Sequence, residues 1–397
     1  MRTGAFATLF LSLISIGIGQ SMLFAVLPPA ARDLGVSPFR VAIIFAVSAT
    51  IWVFVSPWWG RRSDVVGRRP VILVGLLGYA LSMTLVASTL TAAAAGLLAA
   101  VLVHPALIVS RSMFAVLGSG TGPAAQAWIA DRTTPAERAA GVALMSGAMG
   151  LGETIGPGLA GVLAVFGLAA PIYVAAGLAV ASAVLVWARL PDDPVQRRAA
   201  NPRPAAMRAS DPRVRGFVMI GTALQAVRAT TVITLALYLQ DTLRLSSSGA
   251  ARVAGFGFMT LAVAGLVSQI VVVQRLRPRA RTMIRTGTPL IVAAFGLLTV
   301  PGRLELIFPA LALLGLGLGL VRPGISAAVS LSVEPDQQGA AAGLLSGFAV
   351  IGNVVGPLVA TALYASTPVA PYLLNVAIML PVLAYAVCSR RVRAIAA

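Results

Sequence analysis

Charged residues are scarce in this chain, and acidic residues are scarcer still. Only 11% of its 397 residues are charged, and twelve acidic residues stand against thirty basic ones. Soluble globular proteins carry about 25% charged residues, so the composition excludes an ordinary soluble fold. The hydrophobic residues, which form 58% of the chain, instead predict an integral membrane protein.

Cysteine and histidine are almost missing. Cys388 is the single cysteine, so no internal disulfide can form, and His104 is the single histidine. Clustered His and Cys ligands are therefore excluded, and we predict no metal site and no cofactor. An enzyme active site would need clustered catalytic groups that this composition does not supply, so we do not expect an enzyme.

Long apolar runs separated by short polar loops fill most of the sequence. We identify twelve runs long enough to span a bilayer as α-helices. The first is at residues 5–30, the second ends near residue 59, and the fourth is at about residues 105–130. That first run is too long for the core of a signal peptide, so we interpret it as an uncleaved helix. A charged, proline-rich linker at residues 191–213 divides the chain. The sequence predicts an all-α integral membrane protein with six-helix bundles at residues 1–190 and 214–397.

All thirty basic residues are arginine, and their placement predicts the orientation of the chain. Twenty-two lie on one side of the twelve spans, in loops, linker and tails, whereas five lie on the other side and three inside spans. Basic loops stay in the cytoplasm, so we expect both termini and the linker to be cytoplasmic, in a bacterial-type inner membrane. Arginines placed between apolar runs, without interleaved aromatic residues, do not indicate a nucleic-acid partner.

Two stretches 200 residues apart are related in sequence. The chain reads GAMGLGETIGPGLAG at residues 147–161 and GFAVIGNVVGPLVAT at residues 347–361. Both follow an even number of spans, so they cross the membrane in the same direction and form a parallel repeat. Their glycines predict close helix packing, and each Gly-Pro pair predicts a bend that can act as a hinge. The predicted hinge residues are Gly152, Gly156, Pro157, Gly161, Gly352, Gly356 and Pro357.

Glu153 is the one acidic residue that we place deep in the bilayer. Burial favours its protonated form and a nearby arginine favours its charged form, so it can exchange a proton as a coupling residue must. The alternative is a carboxyl that only hydrogen-bonds to a neighbouring helix. Arg228 lies at a similar depth, roughly 20 Å into its span, and is the expected partner.

Further polar residues inside the spans complete a predicted substrate cavity. For each arginine the alternative is a fixed hydrogen-bond donor between helices. A cavity with three arginines and one glutamate is net positive, which suits anionic or zwitterionic substrates. The remaining predicted cavity residues are Arg111, Arg322, Gln20, Gln225 and Asn353.

These motifs resemble those of the major facilitator superfamily of transporters. Residues 60–70, GRRSDVVGRRP, are similar to the family's loop signature between the second and third spans. Arg111 is similar to its arginine motif in the fourth span, and residues 152–161, GETIGPGLAG, to its antiporter motif in the fifth. Ala115 and Ala160 stand where those motifs have glycine. The resemblance implies the major facilitator fold and the drug–proton antiporter branch. Unlike several exporters of that branch, tetracycline exporters included, the chain has no acidic residue in its first span.

The resemblance also implies a cytoplasmic latch at residues 60–70. Asp64 would lie near the start of the eleventh span, where a carboxylate at a helix N-terminus is favourable by roughly 0.3 to 1 kcal/mol. Arg68 would lie near Asp131. Such a latch would bias one conformational state without locking it, and the alternative is a solvated charged face. The predicted latch residues are Gly60, Asp64, Gly67, Arg68, Arg69 and Asp131.

The expected function is secondary active transport, with proton-coupled export of small amphipathic organic compounds by alternating access. The alternatives are an uptake symporter, or a lipid or siderophore transporter, because one fold carries many substrates. A channel or receptor without coupling would not need Glu153 to titrate. The expected partners are a small-molecule substrate, protons and the lipid bilayer, and we expect a monomer.

Overall fold

The structure, a computed structural model, describes residues 3–133, 135–191, 207–208, 210–334, 337–389 and 392. Within these residues the chain forms thirteen α-helices and no strand. It divides into two compact units. Unit 1 contains Met1–Ala199 and Ser246–Gly255, and unit 2 contains Ala200–Leu245 and Phe256–Ala397.

Seven helices build most of unit 1. In its interior α1 packs against α6 and α7, and α3 packs against α4 and α7. A short 3-10 turn, Ala164–Phe166, follows α6. The helices are α1 (Thr3–Asp33), α2 (Pro38–Val66), α3 (Arg68–Ala94), α4 (Ala100–Gly118), α5 (Thr121–Ala130), α6 (Pro135–Leu163) and α7 (Ala170–Arg189).

Unit 2 repeats this packing with its own helices. Here α8 packs against α12, and α10 packs against α11 and α13, in the same relation as α1 to α6 and as α3 to α4 and α7. A π-helix, Ser268–Leu276, continues α9. The helices are α8 (Arg215–Leu243), α9 (Ser247–Val267), α10 (Ala280–Leu298), α11 (Leu304–Leu331), α12 (Gln338–Tyr364) and α13 (Ala370–Cys388). The first turns of α9, up to Gly255, belong to unit 1. The all-helical architecture and its internal repeat confirm the predicted fold class.

Eleven spans in the described part of the chain are long and apolar enough to cross a membrane. In this set α4 and α5 form one span, Ala100–Ile129. The predicted span that is missing from these eleven is the ninth, which corresponds to α10. Its first turns carry Arg281 and Arg285, which lower its mean hydropathy. The rest of α10 is apolar and lies between α11 and α13.

Several predicted helix ends were wrong. The second span was expected to end near residue 59, but α2 continues to Val66, so most of the charged loop is helical. Hydropathy marks where a helix leaves the apolar layer, not where its backbone ends. The fourth span was expected to be continuous from residue 105 to 130. It begins at Ala100 and breaks at Ser119 and Gly120, where serine and glycine weaken the helix.

Most of the predicted linker, residues 192–206 and 209, lies outside the described residues. The same is true of Arg390, Arg391 and Arg393 in the C-terminal tail. The domain boundaries at 190 and 214 therefore stay a prediction.

Candidate functional site

The glycines of α6 mark a close crossing with α1. A Cβ atom added to Gly152 would collide with the carbonyl oxygen of Ile14, and one added to Gly156 would collide with that of Ile18. At the same crossing the hydroxyl of Ser21 lies 3.4 Å from the carbonyl oxygen of Gly152, to which it donates. Glycine allows the two backbones to meet because it has no side chain.

Pro157 interrupts the hydrogen bonds of α6 beside this crossing. Proline has no N–H and cannot donate to the carbonyl four residues earlier, which here belongs to Glu153. One turn further on, a Cβ added to Gly161 would lie 3.2 Å from the carbonyl oxygen of Arg252. The backbone of α6 is therefore weakened at Glu153 and tightly packed on either side of it.

The side chain of Glu153 is exposed in unit 1. Successive helix residues are turned by about 100°, which places Glu153 on one flank of the stripe that faces α1. Ile155 and Leu159 lie on the other flank and are also exposed. Within unit 1, no described residue forms an ion pair or hydrogen bond with the Glu153 carboxylate. The carboxylate therefore lies on the flank of α6 opposite the exposed apolar residues Ile155 and Leu159.

Unit 2 contains a second crossing of the same construction, between α8 and α12. Added Cβ atoms at Gly352 and Gly356 would collide with the carbonyl oxygens of Thr222 and Ala226 respectively. These partners lie 208 residues after the partners of the first crossing. Asn353, half-buried, occupies the place of the glutamate. Its carbonyl also lacks its usual helical donor, because a proline follows Gly356.

Arg111 in α4 is the one charged side chain that the described chain buries deeply, with 6% of its surface exposed. Its Nη2 atom donates to Gln20 Oε1 in α1 at 2.8 Å. The guanidinium carbon lies 5.0 Å from the centre of the Phe114 ring. In the described chain, Nε and Nη1 are buried without a hydrogen-bond partner. Two of the predicted cavity residues, far apart in sequence, are thus brought together.

Arg228 in α8 is half-buried, and its Nε lies 3.4 Å from Gln225 Oε1, one turn earlier in the same helix. The shift of 208 residues between the two crossings maps Gln20 onto Arg228. The first helix of each unit thus carries a hydrogen-bonding side chain at the same place. Arg322, in α11, is exposed. Glu153 belongs to unit 1 and Arg228 to unit 2, so their pairing stays a prediction.

The charged segment at the junction of α2 and α3 is held by ion pairs of Arg68. Its Nη2 lies 2.5 Å from Asp64 Oδ1 and its Nε lies 3.3 Å from Asp131 Oδ2. Asp64 is exposed, whereas the Arg68 side chain has only 17% of its surface exposed. One guanidinium therefore joins the end of α2, the start of α3 and the residue that follows α5.

Three other residues of this segment have clear structural places. Gly67, the one residue between α2 and α3, has a φ of 103°, which glycine adopts without strain. Arg69 donates to the carbonyl of Trp187 in α7 at 2.5 Å. Gly60 lies inside α2, and an added Cβ would meet no atom within 4 Å. Glycine is thus required by the backbone at position 67 but not at position 60.

Some residues of the site were missed by reasoning from sequence. Tyr79 in α3 is fully buried and packs on Phe114, with ring centres 4.6 Å apart, beside Arg111. Ser21 and Gly17 complete the crossing of α1 with α6. The available signal was the run GIGQS in the first span, where small residues flank a polar one. Tyr79 had no comparable signal, because an isolated aromatic residue in an apolar span is ordinary.

A family model described as Major Facilitator Superfamily matches residues 9–308, which is most of the chain. The chain belongs to this superfamily. The superfamily consists of membrane transporters, and this member is a multi-pass membrane protein.

No group of three or more His, Cys, Asp or Glu residues in the described chain could hold a metal ion.

Two resistance proteins are among the relatives of this chain. It is 27% identical to a tetracycline resistance protein of class C from Escherichia coli, over 90% of this chain and 88% of the relative. It is also 27% identical to multidrug resistance protein 1 from Bacillus subtilis strain 168, over 90% of this chain and 87% of the relative.

A solved structure is similar over almost the whole length. It is that of a bacterial homolog to the human lysosomal transporter Spinster, in an inward-facing and occupied conformation. The TM-score is 0.75 at 14% identity, and the match covers 97% of this chain and 96% of that one. At this identity the similarity establishes the fold alone.

Proposed function

We propose that the protein is a proton-coupled exporter of small amphipathic organic compounds that works by alternating access. Its membership of a transporter superfamily and its relation to tetracycline and multidrug resistance proteins support this function. It carries substrate across the membrane and catalyses no chemical reaction of its own. We further propose that it works as a monomer in an inner membrane, with both termini in the cytoplasm.

The observation that carries the proposal is the place of Glu153 on α6. Its side chain is exposed, and its own carbonyl lacks a helical donor because of Pro157. Gly152 and Gly156 hold the helix against α1. A bend at Pro157 changes the surroundings of the carboxylate without breaking the crossing. Since burial favours the protonated form and water the charged form, such a movement couples protonation to conformation.

The arginines indicate the class of substrate and the partner of the glutamate. Arg111 carries two buried nitrogen atoms, Nε and Nη1, with no acceptor in the described chain, and Arg228 is half-buried beside a neutral amide. Both are donors to which a carboxylate or phosphate could bind. We propose that the substrates are anionic or zwitterionic, and that the Glu153 carboxylate pairs with Arg228 when its proton is released.

The paired charges at the junction of α2 and α3 support the proposed latch. Arg68 bridges Asp64 and Asp131 within unit 1, and Asp64 is exposed. We propose that Asp64 also contacts the start of α12 in one conformational state. The two Gly-Pro bends, in α6 and α12, then act as the hinges of the transition.

Substrate-induced proton release tests the proposal. Purified protein in weakly buffered detergent solution is mixed with a panel of compounds, and a pH-sensitive dye reports the change. An exporter of this kind releases protons when substrate binds, and the Glu153→Gln variant should bind without release. The control is Glu305→Gln, which removes an exposed carboxylate that lies 3.4 Å from Arg303. Proton uptake on binding would indicate a symporter, and unchanged release from the Glu153 variant would contradict the proposed role.

A further inference from the structure

A dense cluster of unpaired arginines extends from the π-helix that follows α9 into the first turns of α10. We name residues 275–285 the basic segment. Four of its arginines are exposed and Arg281 is half-buried. Within unit 2, none of the five forms an ion pair or a side-chain hydrogen bond with a described residue. The five are Arg275, Arg277, Arg279, Arg281 and Arg285.

In the described chain, the matching segment of the first half, residues 60–70, contains an ion-paired arginine, whereas this one does not. Between α2 and α3, Arg68 is paired with Asp64 and with Asp131. In the second half the chain has no acidic residue between Asp241 and Glu305. The basic segment therefore carries five arginines with no acidic residue near them in sequence.

The arginines continue an exposed apolar surface. The π-helix Ser268–Leu276 is the end of a candidate membrane span. Its Ile270 and Val271 are exposed by 48% and 44%, and Leu276 is exposed by 71% between two arginines. Arg277 adopts a φ of 45° at the turn that follows, a conformation that glycine fills more readily. Charge and exposed apolar surface therefore meet at the end of this candidate span.

We propose that the basic segment binds the headgroup of an anionic phospholipid whose acyl chains lie on Ile270, Val271 and Leu276. Guanidinium groups bind phosphate in a bidentate manner, and the exposed aliphatic side chains match the acyl chains. Anionic lipids are concentrated in the cytoplasmic leaflet, on the side to which the arginines assign this segment. A soluble anion would use the arginines but leave the apolar surface without a role.

A lipid titration of the purified protein tests the proposal. Phosphatidylglycerol is added to the protein in neutral detergent, with phosphatidylcholine and free glycerol phosphate as comparisons, and the melting temperature is measured. A ligand that binds the folded state raises that temperature as its concentration rises. The test variant is Arg275→Gln/Arg279→Gln/Arg285→Gln. The matched control is Arg40→Gln/Arg244→Gln/Arg303→Gln, which removes the same charge from exposed positions elsewhere.

Phosphatidylglycerol should raise the melting temperature of wild type and control, whereas phosphatidylcholine and glycerol phosphate should not. The rise should become smaller as salt is added. The test variant should need at least about tenfold more lipid for half of the effect, because each basic residue near the surface strengthens binding. An Arg→Lys triple variant at the same three positions should stay close to wild type, which separates loss of charge from poor folding. Equal losses in test and control variants would overturn the proposal, as would equal stabilisation by phosphatidylcholine or glycerol phosphate.

Discussion

Arg111 and Gln20 show how much a single contact can depend on the tertiary fold. Sequence reasoning assigned both residues to the cavity, because polar groups inside spans are costly and functional. It could not pair them, since they lie on helices far apart in the chain. In the described chain the guanidinium has one acceptor at 2.8 Å and lies over the Phe114 ring, on which Tyr79 packs.

Loss of that acceptor should destabilise unit 1. In Gln20→Leu the buried guanidinium loses the one side-chain acceptor that the structure gives it, and a hydrogen bond to a charged group contributes about 1.5 to 3 kcal/mol. The matched control is Gln225→Leu, whose bond to the half-buried Arg228 is long at 3.4 Å. Thermal unfolding of the purified proteins should show a lower melting temperature for Gln20→Leu and a smaller change for Gln225→Leu. Equal decreases in melting temperature would show that the hydrogen bond to Arg111 stabilises the protein no more than the bond to Arg228 does.

Asp64 should affect transport more than substrate binding. Its exposed ion pair with Arg68 is worth about 0 to 1 kcal/mol, so Asp64→Asn should shift the balance of states by up to about fivefold. We expect a lower transport rate with substrate affinity kept, and Glu305→Gln serves as the control for removal of an exposed paired carboxylate. Measured binding and transport that fall together would rule out a latch, since a latch residue does not touch substrate.

At the scale of elements, the two helix crossings are the best-defined feature of the fold. The glycine spacing in the fifth and eleventh spans predicted close packing, but it did not name the partner helices. The structure assigns α1 and α8, with a constant shift of 208 residues between the partners. The internal repeat therefore extends to the packing of the helices.

Glycines at and beside a crossing should respond differently to alanine. In Gly152→Ala the new Cβ collides with the backbone of α1, and overpacking typically costs about 1 to 3 kcal/mol. In Gly147→Ala, in the same helix, the new Cβ meets no atom within 4 Å, so stability should stay the same or rise. The same contrast is expected between Gly352→Ala and Gly347→Ala. Melting temperatures test it, and similar values within each pair would contradict the crossings.

The errors in the predicted helices have one physical cause. Hydropathy reports the apolar layer and says little about the backbone within it or beyond it. The break between α4 and α5 lies inside an apolar run. The π-helix after α9 continues an apolar run as well, and hydropathy does not distinguish a π-helix from an α-helix. The helical end of α2 lies outside the layer, among charged residues. The number of spans and the repeat were predictable because they depend on apolar length and on spacing alone.

At the scale of the whole molecule, the arginine distribution predicts which regions face the cytoplasm. The exposed Cys388 at the end of α13 is a built-in reporter. An impermeant maleimide should label it only after the cells are permeabilised. In a Cys388→Ser background, Ser248→Cys, an exposed position at the start of α9, should be labelled in intact cells. The reverse pattern would invert the topology, and labelling of both in intact cells would contradict twelve spans.

The proposed coupling through Glu153 involves a residue, a helix and the whole molecule. Glu153 lies one turn before Pro157 in α6, and α6 forms one of the two related crossings. We propose that a bend at Pro157 changes the surroundings of the carboxylate as the transporter alternates between its two open states. Asn353 fills the matching place in the second half. An amide therefore fits this position, and Glu153→Gln should remove only the titration.

The most direct test is transport by Glu153→Gln in proteoliposomes, with and without a pH gradient. Wild type should concentrate substrate when the gradient is applied. The variant should still bind substrate and exchange it passively, with no accumulation. Asn353→Gln, which keeps an amide in the matching place of unit 2, should still accumulate substrate. A Glu153→Gln protein that concentrates substrate against its gradient would contradict the account, because proton coupling could not then depend on this carboxylate.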